Sequence, residues 1–165
     1  MKKQTAVDQI RANAACQGFQ ILILPPQRPI WAMTYGLMKS VSQPDVVVMG
    51  LPPQIMHQMV LNLAGMAMDG ETLEHGLRTD RVVHTFECEL RTVEPKWHDL
   101  LLGPLRELYD DAPPSMLQCT WPDKGGKLPH EEGFDVAFLQ RQPRLELADP
   151  EVAGLKPLLR ALSRP

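Results

Sequence analysis

Chemistry in this chain has few places to live, and the tripeptide Trp121-Pro122-Asp123 is the first of them. An aspartate on a loop can protonate a leaving group. With cysteine as nucleophile, that acid would need an arginine six positions beyond the thiolate, in a loop that cradles phosphate. Six residues beyond Cys16, Cys88 and Cys119 stand Leu22, Glu94 and Gly125, so this route is excluded. Two readings of the tripeptide stay open. Either Trp121 fills core space at a strand end while Asp123 caps the turn, or both border a pocket.

The histidines His57, His75, His84, His98 and His130 are scattered, with neither H-E-x-x-H nor H-x-x-x-H spacing. A zinc site needs about four convergent ligands, so no metal is expected. His130-Glu131-Glu132 groups donors within one loop. His84 falls on the apolar side of an alternating stretch, as a core histidine or as a ligand contact. The hydroxyls of Thr34, Ser40 and Ser42 sit close in sequence around Gly36. No G-x-S-x-G elbow, Walker loop or dinucleotide fingerprint is present, and no cofactor is called for. The candidate ligand-binding set is therefore Thr34, Gly36, Ser42, His84, Trp121, Asp123 and His130, with no catalytic residue identified.

The elements that must hold these residues centre on Asp45 to Gly70. Val46-Val47-Val48-Met49 is an apolar strand, followed by Gly-Leu-Pro-Pro and a helix. Pro53 suits its first position and Gly70 the residue past its end. Ile55, Met56, Met59, Val60, Leu63, Ala64 and Ala67 recur at helical spacing. Upstream, Thr5 and Asp8 resemble a capping box for a short helix that Gly18 ends. Phe19 to Leu24 and Ile30 to Gly36 read as a hairpin joined by the loop Pro25-Pro26-Gln27-Arg28-Pro29.

Downstream, Arg81 to Val93 alternates as one strand with Val82, His84, Phe86, Cys88 and Leu90 on a single face. One wet side favours antiparallel pairing. Pro95 opens a helix that Gly103-Pro104 kinks, Ser115 to Trp121 is a last strand, and Phe134 to Gln140 holds a helical turn. The expected fold is α+β: a mainly antiparallel sheet of about five strands with two or three helices packed on one face. Residues 1–148 form a single domain, and residues 149–165 a C-terminal extension with a short amphipathic helix that Pro157 weakens.

Composition narrows the function classes. The 165 residues are 44% hydrophobic and 22% charged, values of a globular domain with one core. Net charge is −3, and Lys2-Lys3 is the longest basic run at the start of the chain, so nucleic acid is not expected as a partner. Three widely spaced cysteines read as reduced thiols. The N-terminal segment is broken by Asp8, Arg11 and Asn13, unlike a signal peptide, and no run nears the ~20 apolar residues of a membrane span. The expectation is a cytoplasmic protein without membrane contact.

Several stretches in order carry a family resemblance. They are Trp31-Ala32-Met33-Thr34-Tyr35-Gly36-Leu37, then Pro44-Asp45-Val46-Val47-Val48-Met49-Gly50-Leu51-Pro52-Pro53, then Leu117-Gln118-Cys119-Thr120-Trp121-Pro122-Asp123. Gly126, Pro129, Gly133-Phe134-Asp135 and Gln142-Pro143 follow. From about residue 18 to 143 the chain resembles the bacterial domain-of-unknown-function family four-two-six-two. The resemblance implies no particular activity. Where that family usually has tyrosine, histidine and tryptophan, this chain has Met33, Gln43 and His130, so it lacks a phenol and an imidazole. The expectation is a non-catalytic binding or accessory module for a protein or small ligand, with self-association open. The alternative is a small-molecule enzyme or a flavin or nucleotide binder, with a pocket near Thr34, His84 and Trp121.

Overall fold

The computed structural model describes residues 5–24 and 30–163. The expected Pro25–Pro29 loop and the first four residues lie outside them. Helix α1 (Ala6–Gln17) starts at the reciprocal Thr5/Asp8 capping box and ends at Gly18, whose φ of 92° is the left-handed conformation such an end needs. Strands β1 (Gln20–Leu24) and β2 (Trp31–Tyr35) pair antiparallel as expected. A one-turn helix α2 (Leu37–Val41) leads into β3 (Asp45–Met49), and α3 (Pro53–Met68) follows.

Packing rather than propensity holds α3. Gly65 costs about 1 kcal/mol against alanine. Each of Met56, Met59, Val60 and Leu63 is fully buried, worth roughly 1.5–3 kcal/mol apiece. Ile55 is the member of the expected stripe that misses the core; it is exposed.

The remaining strands correct the expectation in number and direction. Arg81 to Val93 is not one strand but a hairpin, β4 (Arg78–Val83) and β5 (Phe86–Thr92), turning at His84-Thr85. An irregular register between Thr79 and Val83 lets Val82 and Val83 pack on the same cluster as Cys88 and Leu90, so the apolar pattern runs through the turn unbroken. His84 is consequently exposed, off the apolar face assigned to it. After α4 (His98–Leu102), flanked by 3-10 turns at Pro95–Trp97 and Gly103–Tyr109, comes β6 (Met116–Thr120).

Among the described residues the sheet has six strands in the order β1-β2-β3-β6-β5-β4 and is mixed, because β3 and β6 run parallel. Every residue of β2, β3 and β6 is buried. Both faces are therefore covered, as parallel strands require. Five helices among the described residues, not two or three, do the covering. One face lies under α3. The other lies under α1, the 95–109 run, and the segment leading into α5 (Lys156–Leu162), where Ala153, Leu155 and Leu158 join the core. No helix among the described residues is long and apolar enough to cross a membrane.

Candidate functional site

The parallel β3/β6 pair decides which candidate residues can meet. Thr34 sits at the start of β3 and Trp121 at its end, four residues or roughly 13 Å away along the strand. Thr34 Oγ1 donates to Asp45 Oδ1 (2.9 Å), whereas Trp121 Nε1 donates to the Met49 carbonyl (2.8 Å). His84 lies in the β4–β5 turn, with β3 and β6 intervening between β2 and that hairpin. Thr34, His84 and Trp121 do not converge.

The β3 start holds Thr34 and Gly36 around a carboxylate that sequence reasoning passed over. Asp45 is fully buried. Its Oδ1 accepts from the Thr34 hydroxyl and the Leu37 N–H (3.3 Å), and its Oδ2 accepts from the Tyr109 hydroxyl (2.7 Å). Thr34 Oγ1 in turn accepts the Val46 N–H at 3.1 Å. No cation among the described residues pairs with Asp45. Burial pushes Asp45 up to about 6 against these hydrogen bonds, and burial together with the neighbouring Asp45 pushes the Tyr109 phenol far up. Because its hydrogen bonds hold β2, α2 and the 103–109 turn to β3, Asp45 acts as an anchor. Ser42 is exposed beyond α2 with φ 57° and reaches none of this.

Asp123 follows the turn-capping reading. Its Oδ1 accepts the N–H groups of Gly125 and Lys127 (both 2.9 Å), and its Oδ2 accepts that of Asp135 (2.7 Å). These bonds, the Asp135 one foremost, hold its carboxyl below the usual range. Asp123→Ala should therefore open this loop to protease; limited trypsinolysis is expected to cut after Lys124 and Lys127 faster than in the parent protein. An unchanged cutting rate would deny Asp123 that role.

His130 Nε2 lies 3.1 Å from Glu89 Oε2, at the edge of a charge network that sequence spacing does not show. Arg91 bridges Glu89 and Glu146, Arg144 chelates Glu146, and Arg78 reaches Glu87, Glu89 and Glu131. Burial alone would raise Glu146, but hydrogen bonds and charge from Arg144 and Arg91 bring it below its ordinary value. Two glutamines finish the attachment. Gln118 bonds the Pro143 carbonyl (2.8 Å) and the Leu145 N–H (3.1 Å), while Gln142 bonds both backbone groups of Trp121. These partners are internal, so the network fastens residues 142–147 to the sheet and leaves little free for a ligand.

The other end of β3 is open. A cleft of about 690 Å³ lies where β3 turns into α3, bounded by Ile30, Met49, Leu51, Pro52, Pro143 and Leu158. Gly50 takes φ 87° there, and its carbonyl accepts from Arg141 Nη2 at 2.9 Å. The guanidinium also lies 5.6 Å from the Trp121 ring centroid and 5.7 Å from that of Phe138, within cation–π range. Trp121 thus serves the cleft from behind, as support for Arg141. Among the described lining residues Arg141 is the charged one, and none of these is a cysteine, histidine, carboxylate or hydroxyl. Such a wall can bind and orient an apolar ligand.

Fold and cleft together define an α+β domain on a six-stranded mixed sheet, open at the carboxyl end of its central parallel pair. The chain belongs to the family described as a domain of unknown function (DUF4262), whose model matches residues 13–135. No curated protein and no solved structure matches it.

Proposed function

We propose that this protein is a non-catalytic binding module that seats a small, largely apolar ligand bearing a negative charge in the cleft beyond β3. The observation that carries the reading is the cleft itself, of a size usual for small-molecule sites and at the point in the sheet where open α/β sheets take ligands. There β3 has a parallel neighbour on one side and an antiparallel one on the other, and the chain leaves β3 for α3 on one face. Residues 142–147 lie against the opposite face. Apolar walls supply affinity, and Arg141, pinned by Gly50 and two rings, supplies a fixed guanidinium for an anionic group. No geometry favours the flavin or nucleotide alternative, whose three bordering residues lie apart.

The test uses 8-anilino-1-naphthalenesulfonate, an apolar body with one sulfonate. Binding to the folded protein should raise its fluorescence and shift the amide resonances of Gly50 and Leu51. Arg141→Ala should weaken it about tenfold, the worth of one charge-assisted hydrogen bond at about 1.4 kcal/mol. Resonance shifts elsewhere, or an affinity indifferent to Arg141, would overturn the assignment.

A further inference from the structure

A second concavity, of about 350 Å³, lies at the opposite end of β3 between α1 and α2. Its walls are the small side chains of Ala14 and Ala15 and the ring of Tyr35, with Arg11 and Lys39 at its border. The two hydroxyls within reach are spent as donors. Tyr35 donates to the Leu108 carbonyl (2.9 Å), and the single Ser40 O–H is shared between the Gly18 carbonyl (2.6 Å) and the Gly36 carbonyl (3.0 Å). Recognition of a polar group therefore falls to the two cations.

Those cations differ in how they are held. Arg11 Nη2 donates to Asp110 Oδ1 at 2.7 Å and to the Glu107 carbonyl, so the guanidinium is fixed in orientation before any ligand arrives. Its Nε is buried and has no hydrogen-bond partner among the described residues. Lys39, exposed on α2, makes no ion pair among the described residues. Asp110 offsets Arg11 in part, which leaves Lys39 as uncompensated positive charge at the mouth.

From this arrangement we infer a second binding site, for a compact anionic molecule: an apolar body against Ala14, Ala15 and Tyr35, and a carboxylate or phosphate head between Arg11 and Lys39. It is independent of the cleft beyond β3, which shares none of its residues. The volume lies near the lower bound for small-molecule pockets, so the body is a single ring or a short chain.

Benzoate, phenyl phosphate and the neutral control benzyl alcohol distinguish the outcomes when titrated into isotope-labelled protein. The expected result is saturable movement of the Ala15, Gly36 and Lys39 amide resonances with at least one of the two anions and none with benzyl alcohol. Benzoate alone would identify a carboxylate head, and phenyl phosphate alone a phosphate head. Lys39→Met and Arg11→Met should each weaken binding about tenfold. Lys39→Met, at an exposed side chain, keeps the test decisive if loss of the Arg11–Asp110 pair unfolds the other variant. Equal binding of benzyl alcohol, movement only at Gly50 and Leu51, or no movement with either anion would each overturn the site.

Discussion

Gly50→Ala is expected to cost about 3 kcal/mol or more and to loosen the cleft, whereas Gly70→Ala should cost about 1 kcal/mol. Both glycines have left-handed backbone, with φ of 87° and 92°, so both substitutions carry the conformational penalty of roughly 1–2 kcal/mol. They differ in surroundings. A Cβ on Gly70 meets nothing within 4 Å, while one on Gly50 would come 2.2 Å from the Arg141 carbonyl oxygen and 2.7 Å from its carbon. Those are backbone atoms, so relief requires residues 138–143 to move away from the β3–α3 turn. That movement strips the Gly50 carbonyl of Arg141 and weakens its cation–π contacts with Trp121 and Phe138. For a domain of this size 1 kcal/mol shifts Tm by about 2–4 °C. Thermal unfolding should thus fall by about 6–12 °C for Gly50→Ala and about 2–4 °C for Gly70→Ala. Equal shifts would mean that the close approach at Gly50 carries no stability.

Residues that act on their own neighbours could be read from the sequence alone. Pro53, Gly70, Thr5, Asp8 and Gly18 act within one helical turn of themselves, and each does in the structure what its type dictates. The β4–β5 turn has no such marker. His84 and Thr85 turn the chain without positive φ, so neither glycine nor asparagine is needed there, and the apolar alternation continues across it. The direction of β6 beside β3 is likewise invisible locally, because α3 and a whole hairpin intervene. One signal did exist: the unbroken apolar run Val46 to Met49 is how a strand buried on both faces reads. Taking β3/β6 as antiparallel would bring Thr34 and Trp121 to one end of the sheet, and hence a pocket between them. Parallel pairing sends them to opposite ends and opens one concavity at each. Arg141 and Tyr109 had no legible role, since their partners Gly50 and Asp45 lie 91 and 64 residues away.

Asp45 should make the protein less stable as pH rises from about 4 to about 6, the reverse of a salt-bridged carboxylate. Its folded value of about 6 lies above the ordinary 3.8, so between these the folded state binds the extra proton and the unfolded state does not. Stability linked to this group is fully present below about 4, is lost through about 6, and is constant beyond. Two pKa units correspond to about 3 kcal/mol. Asp123, Glu131 and Glu146, all lowered, pull the other way, so the total curve conceals the effect. Comparison with Asp45→Asn removes them. The asparagine carbonyl can still accept from Thr34 and Leu37, and its amide can donate to the Tyr109 oxygen, without a buried charge. Relative to the parent, the variant should gain about 3 kcal/mol between pH 4 and pH 7.5 in urea unfolding. Asp45→Ala, which strands the Thr34 and Tyr109 hydroxyls and the Leu37 N–H, should lose about 3 kcal/mol or more at pH 4, where the parent carboxyl is neutral. A pH-independent difference between parent and Asp45→Asn would show that this carboxyl keeps an ordinary pKa despite burial. The three donors, rather than exclusion of water, would then dominate the chemistry at the start of β3.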